Sequence, residues 1–350
     1  MLQKILQPYW LGHEMVEESI LPLADAQGDI APIALLYPVT EVHCVQSATL
    51  DTLYHPGIDY RIEDGLLVIP RTSAIPRMTM ETYRPSQQLP GQTFRHADGN
   101  GWIAFHEGHF FHAHQTVISY HHDAPWTGYV PPCKQHLLPR TARMLAEKQD
   151  FRLLFYGDSI TTGANASMRT HIEPFQPDWC TLVARQLEHH HQHPEITVFN
   201  TAMGGKDSAW GLLEVDARAA QLHPDLVVLA FGMNDGSARR PAAEFSAHTA
   251  AIMAAIRREN PSCEFLLVAS MLPNREVDGF FGMQPDYAPA LLAMETEGIC
   301  VADMMHVHQS LLARKSYRDM TGNNVNHPND FLIRIYAQVL LATMGASPMA

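Results

Sequence analysis

No apolar run in the 350-residue sequence approaches the length of about 20 residues that a membrane-spanning helix needs, so a spanning protein is not expected. Its beginning, MLQKILQPYWLGHEMVEESILPLAD, lacks the unbroken apolar core of a signal peptide, because Pro, His and several acids interrupt it. A cytoplasmic protein is the expectation. The five cysteines (Cys44, Cys133, Cys180, Cys263, Cys300) are scattered without a CxxC pair, and their odd number suits no disulfide framework, so they read as reduced, mostly buried thiols. Positive charge is also short: 24 Lys and Arg stand against 37 Asp and Glu, a formal charge of −13 that favours solubility and disfavours polyanionic partners. Neither nucleic acid nor membrane is expected as a partner.

Apolar residues are plentiful. At 46% they suffice for a real core, and the length favours two domains. Between residues 30 and 130, the runs Ala34–Tyr37, Thr40–Val45, Gly65–Ile69, Trp102–Phe105 and Gln115–Tyr120 alternate with Asp-Gly, Pro-Gly and Asn-Gly turn signals. That punctuation predicts an antiparallel β-sandwich of jelly-roll type. The pattern changes after Pro131-Pro132, placing a boundary between about 130 and 150, with a sandwich over 1–140 and a second domain over 141–350.

In the second domain, short unalternating runs (Phe151–Tyr156, Ile196–Phe199, Leu226–Phe231, Phe265–Ala269, Ile299–Ala302) read as parallel strands covered on both faces. Helical periods lie between them: Trp210, Leu213, Ala217 and Ala220 share one face, and Phe245, His248, Ile252, Ala255 and Ile256 another. Alternating strands and helices imply a three-layer, doubly wound α/β sheet, whose ligands sit beyond the carboxyl ends of the strands.

Those ends carry polar residues suited to acyl transfer. They are Gly157-Asp158-Ser159 after the first strand, Asn200 to Gly205 after the second, and Gly232-Met233-Asn234-Asp235 after the third. Downstream, Asn324-Val325-Asn326-His327-Pro328 opens the last helix, where Pro328 suits the first helical position and His327 the N-cap. Taken singly, each block has an ordinary reading: a turn for Asp158-Ser159, a capped βα loop for Asn234-Asp235, a plain cap for His327. Four blocks at the ends of the right elements are a different matter. Together they resemble the SGNH (GDSL-type) hydrolase superfamily, over residues 157–328.

The resemblance implies a flavodoxin-like sheet, Ser159 as nucleophile and His327 as its base. It implies an oxyanion hole from the backbone N–H groups of Ser159 and Gly205 and the side-chain amide of Asn234. Gly205 follows from the family's Asn-x-Gly-x-x-Gly spacing counted from Asn200, with Ala202 in place of the first glycine. The physical need agrees: a hydroxyl requires an imidazole to take its proton, and fixed donors stabilise the oxyanion that forms. One position departs from the family. Its Asp, three residues before the His, is Asn324 here, so the group orienting His327 stays open among Asn324, Asp330, Asp319, Asp303, a backbone carbonyl or none. Asp330 is otherwise explained as a helix-start carboxylate.

The chemistry needs no cofactor. His112-x-His114, His306-x-His308 and the run His189–His191 raise a metal, with two rings of each pair on one strand face, but no accompanying Cys or carboxylate arrangement is apparent, and packing or surface roles are the default. Lys206-Asp207 and Trp210, after the oxyanion glycine, fit a pocket wall and a helix start equally. The expectation is a serine-type carboxylic ester hydrolase. By resemblance to two-domain carbohydrate esterases, it would remove acetyl groups from a sugar or glycoside, with the sandwich serving as carbohydrate-binding module, cleft wall or homo-oligomer contact. An acyltransferase to another alcohol, or a non-catalytic carbohydrate binder on the same scaffold, are the alternatives.

Overall fold

The computed structural model describes residues 2–193 and 196–348. Five strands, Phe151–Gly157, Ile196–Asn200, Leu226–Ala230, Glu264–Ala269 and Ile299–Asp303, form one parallel sheet in the spatial order second, first, third, fourth, fifth. Their apolar runs do not alternate because both faces are covered. Leu153 and Phe155 pack with Leu182 and Val183 of helix Trp179–His191 and with Leu332 and Tyr336 of helix Asp330–Met344. Leu154 and Tyr156 point the other way, onto Phe245, Ile252 and Ile256 of helix Ala242–Glu259. Full burial of each such side chain contributes roughly 1.5–3 kcal/mol, enough to hold both layers on the sheet. The strand order reverses direction at the first strand, which puts the ligand crevice of such a sheet beyond Gly157.

Two local expectations fail for identifiable reasons. The face Trp210, Leu213, Ala217, Ala220 is broken, because the chain forms two short helices, Ser208–Leu213 and Val215–Arg218, and leaves Leu213 78% exposed. The last helix begins at Asp330 with Asn329 as its cap, the Asn329 side chain accepting from Leu332 N–H. His327 therefore lies in the loop before the helix rather than at its N-cap.

The N-terminal part is built on a four-stranded antiparallel sheet in the order Glu14–Ile20, Thr116–His121, Glu41–Ser47, Leu53–Tyr54, with three two-stranded ladders around it. Ala34–Tyr37 is not a strand. Side chains replace its ladder partners, with Leu36 N–H donating to the Glu18 carboxylate and Tyr37 N–H to Tyr120 Oη. A bulge at Glu17, whose φ is +50°, lets consecutive acids both reach cations of the C-terminal half: Glu17 meets Arg334 and Glu18 meets Lys315. Apolar packing is also continuous across residues 130–150, since Leu6, Tyr37, Val45 and Tyr120 share a cluster with Leu332 and Tyr336.

Candidate active site

Ser159 sits directly past the first strand, on a turn that the sheet itself shapes. Gly157 must be glycine, because a Cβ there would collide with the Ala230 carbonyl and with Thr161 Oγ1. Asp158 Oδ1 accepts from Ile160 N–H at 3.0 Å, and Thr161 Oγ1 donates to the Ala230 carbonyl at 3.3 Å. Burial pushes the Asp158 carboxyl up to about 7, with nearby Asp235 adding to the effect, while hydrogen bonds from Ile160, Met233 and Thr161 oppose it. The loop after the second strand is tied to the same turn: Asn200 Nδ2 donates to Thr161 O at 2.8 Å and Met203 N–H to Gly157 O at 3.0 Å. Ala202 N–H donates back to Asn200 Oδ1 at 3.1 Å.

That loop brings Gly204 against Ser159, 3.7 Å separating the Ser159 Cβ from where a Gly204 Cβ would stand. Gly205 follows with φ +73° and open space on its side-chain face. Among the described residues, neither the Ser159 nor the Gly205 N–H donates to a protein acceptor. Asn234 Nδ2 donates one hydrogen to Lys206 O at 2.8 Å, which fixes the amide and leaves its second hydrogen for another acceptor. Asp235 is structural: fully buried, it accepts from Ser208 N–H and Oγ–H and pairs with Arg240 at 2.8 Å. Asp207 caps the helix that carries Trp210.

His327 Nε2 lies 2.9 Å from Ser159 Oγ. The opposite nitrogen, Nδ1, faces two oxygens, Asn165 Oδ1 at 2.8 Å and Glu107 Oε2 at 3.3 Å. Both can only accept, so Nδ1 carries the hydrogen and Nε2 presents its lone pair to the serine. The loop holding the ring is ordered by Asn323, whose Oδ1 accepts from the N–H groups of Val325, Asn326 and His327, each at 3.0 Å.

The candidates raised for the orienting group must be corrected. Asn324, at φ +67°, turns its amide away to donate to Ala104 O at 3.1 Å and accept from Asn274 Nδ2 at 3.2 Å. Asp330 accepts from Ser167 N–H at 2.9 Å, and burial raises its carboxyl. Asp319 accepts from Leu21 N–H and Asp303 pairs with His306, so neither is hydrogen-bonded to the ring. Glu107 and Asn165 were missed. The available signals were a lone carboxylate in His106-Glu107-Gly108-His109 between two apolar runs, and an asparagine six residues past Ser159, here at φ +63°.

The histidine pairs stand on helical turns, not strands. His112 and His114 lie on one 3-10 turn and bond the carbonyls of Glu173 and Phe110, while His306 and His308 sit on helix Met304–Leu312, the second fully buried. No group of three His, Cys, Asp or Glu side chains placed to hold a metal occurs among the described residues.

The GDSL-like lipase/acylhydrolase family profile matches residues 155–331, an interval that contains Ser159, Gly205, Asn234 and His327. The chain belongs to that family. Its structure is similar to a two-domain esterase active on acetylated mannans (18% identity, TM-score 0.49, 64% of this chain and 56% of that one). It is also similar to the acetyl xylan esterase AlAXEase (18%, TM-score 0.44, 55% of this chain and 98% of that one). Axe2, an acetylxylan esterase from Geobacillus stearothermophilus, is a third (17%, TM-score 0.45, 56% of this chain and 94% of that one). The chain thus spans just over half the length of the two-domain esterase. No curated protein matches its sequence.

Proposed function

We propose that the chain is a serine-type carboxylic ester hydrolase that works through an acyl-enzyme, with short acyl groups on a carbohydrate or glycoside as its substrate. The observation that carries this reading is the 2.9 Å approach of His327 Nε2 to Ser159 Oγ, with the Nδ1 hydrogen directed at acceptors. As Ser159 Oγ bonds to the ester carbon, its proton passes to Nε2 and the carbonyl electron pair moves onto oxygen. The N–H groups of Ser159 and Gly205 and the free Asn234 hydrogen are the donors for that oxyanion. Collapse expels the alcohol, which takes the proton from His327, and water repeats the sequence on the acyl-enzyme.

Asn324 was the argument for a non-catalytic binder, and it bonds Ala104 and Asn274 instead of the imidazole. The test is a fluorophosphonate probe together with p-nitrophenyl acetate and acetylated oligosaccharides. Labelling at Ser159 and hydrolysis are expected, both lost in Ser159→Ala with an unchanged circular dichroism spectrum. A wild-type chain that is neither labelled nor active overturns the proposal in favour of the binder. An active chain that prefers another alcohol over water as acyl acceptor marks a transferase.

A further inference from the structure

We infer that Glu107, carried by the N-terminal half, supplies the negative charge behind His327, and that Asn324 has become a docking amide that helps hold Glu107 there. The inference rests on the serine-esterase reading above. It starts from what the asparagines around the ring are doing. Asn165 Nδ2 donates to Gly108 O at 2.9 Å and Gly322 O at 3.2 Å, so a carboxylate at 165 would face two carbonyl oxygens. Asn324 Nδ2 donates to Ala104 O, and an aspartate there would meet the same repulsion. Asn323 spends its amide hydrogens on Glu107 Oε1 at 3.1 Å and Asn326 Oδ1 at 3.2 Å. Three positions close to the imidazole therefore need donors, and none of them can hold the anion without breaking a bond.

Glu107 fills the vacancy from 220 residues away. Among the described residues it is the one acidic side chain within 4 Å of the ring nitrogens. Its run is clamped on both sides: Asn324 holds Ala104 three residues before it, and Asn165 holds Gly108 one residue after. The carboxylate is 53% exposed, so water still solvates part of its charged form. Burial acts to raise its pKa, but the hydrogen bond and charge of His327 and the Asn323 amide outweigh that and leave it lowered. Glu107 is thus a positioning residue: it shares the choice of tautomer with Asn165, and it adds the charge that stabilises the imidazolium formed when Ser159 gives up its proton.

Glu107→Gln keeps the shape and removes the charge. We expect kcat to fall about ten- to hundredfold, the range of a lost charged hydrogen bond, with KM within about twofold. The acid limb of the kcat/KM profile should move to lower pH, because the imidazolium loses its counter-charge. The same displacement should appear in the NMR titration of the His327 ring, which requires no turnover, and the melting temperature should hold. Asn324→Ala should reproduce the kinetic loss and add little to it in a Glu107→Gln background. An unmoved His327 titration and unchanged kcat in Glu107→Gln overturn the inference, as does restoration of that variant by Asn324→Asp. Failure of the esterase reading looks different: the wild type itself lacks hydrolysis and labelling, while the His327 titration still reports on Glu107.

Discussion

Ser159 and His327 meet at one point but are held there by different means. The serine turn depends on its own sheet: Gly157 against Ala230, Asp158 under Ile160, Asn200 across to Thr161. The histidine loop depends on residues up to 310 positions away. Gln115 Nε2 donates to Thr321 O at 2.9 Å, Asn329 Nδ2 donates to Ser19 Oγ at 3.0 Å, and Asp319 receives Leu21 N–H at 2.8 Å. Below them, Lys315 and Glu18 form a fully buried pair at 2.5 Å, with Tyr120 Oη–H donating to the other Glu18 oxygen at 2.6 Å. Ser159 is placed by local architecture, His327 by tertiary docking. Damage to the N-terminal half should therefore reach catalysis chiefly through His327.

This contrast can be broken or sharpened by substitution. The largest effect belongs to His327: His327→Ala should lower kcat by about 10⁴-fold or more with the fold intact, read by p-nitrophenyl acetate turnover. Next comes the docking. Lys315→Met strands Glu18 as a buried, unpaired acid and should cost about 3–5 kcal/mol in chemical denaturation, with activity lost along with the base's position. Should Lys315→Met leave stability unaltered, the claim that the base is held from the N-terminal half fails. On the sheet side, Asn234→Ala should reduce kcat by about a hundredfold or more with little change in melting temperature, since it removes a donor rather than a support.

The last effect concerns Asp158 and is read in stability rather than in turnover. Its folded-state pKa, about 7, lies above the usual carboxylate value, so the folded chain binds the proton more tightly than the unfolded one. The stability this contributes is complete in acid below the unfolded pKa and is lost as pH rises towards and through 7. Asp158→Asn should flatten that part of the stability curve between about pH 4 and 8, measured by thermal melts across pH. An unchanged slope would show that the carboxyl titrates normally.

The sheet was legible because strands buried on both faces leave continuous apolar runs, and those runs agree with the five strands to within one or two residues. The positions of Ser159, Gly205 and Asn234 were legible because each lies shortly after a strand, and that of His327 because it stands just before the last helix. Glu107 and Asn165 were not, since their partners stand 220 and 162 positions away and no periodicity ties a loop to a distant ring. The N-terminal half resisted for a related reason. At Ala34–Tyr37 the backbone bonds to Glu18 and Tyr120 side chains, so an apolar run that looks like a strand is satisfied without a neighbour. The cap of the last helix was misplaced by three positions' ambiguity among His327, Pro328 and Asn329, which only the Asn329 bond to Leu332 N–H resolves.

The Lys315–Glu18 pair also bears on how the chain is made. The acid leaves the ribosome 297 residues ahead of its ammonium partner, and until that partner arrives Glu18 must stay hydrated, because burying it alone would be costly. Leu36 N–H and Tyr120 Oη–H reach Glu18 from within the N-terminal half, but its counter-charge comes only with Lys315, so the centre of that sheet is completed by a residue that also anchors the segment leading to His327.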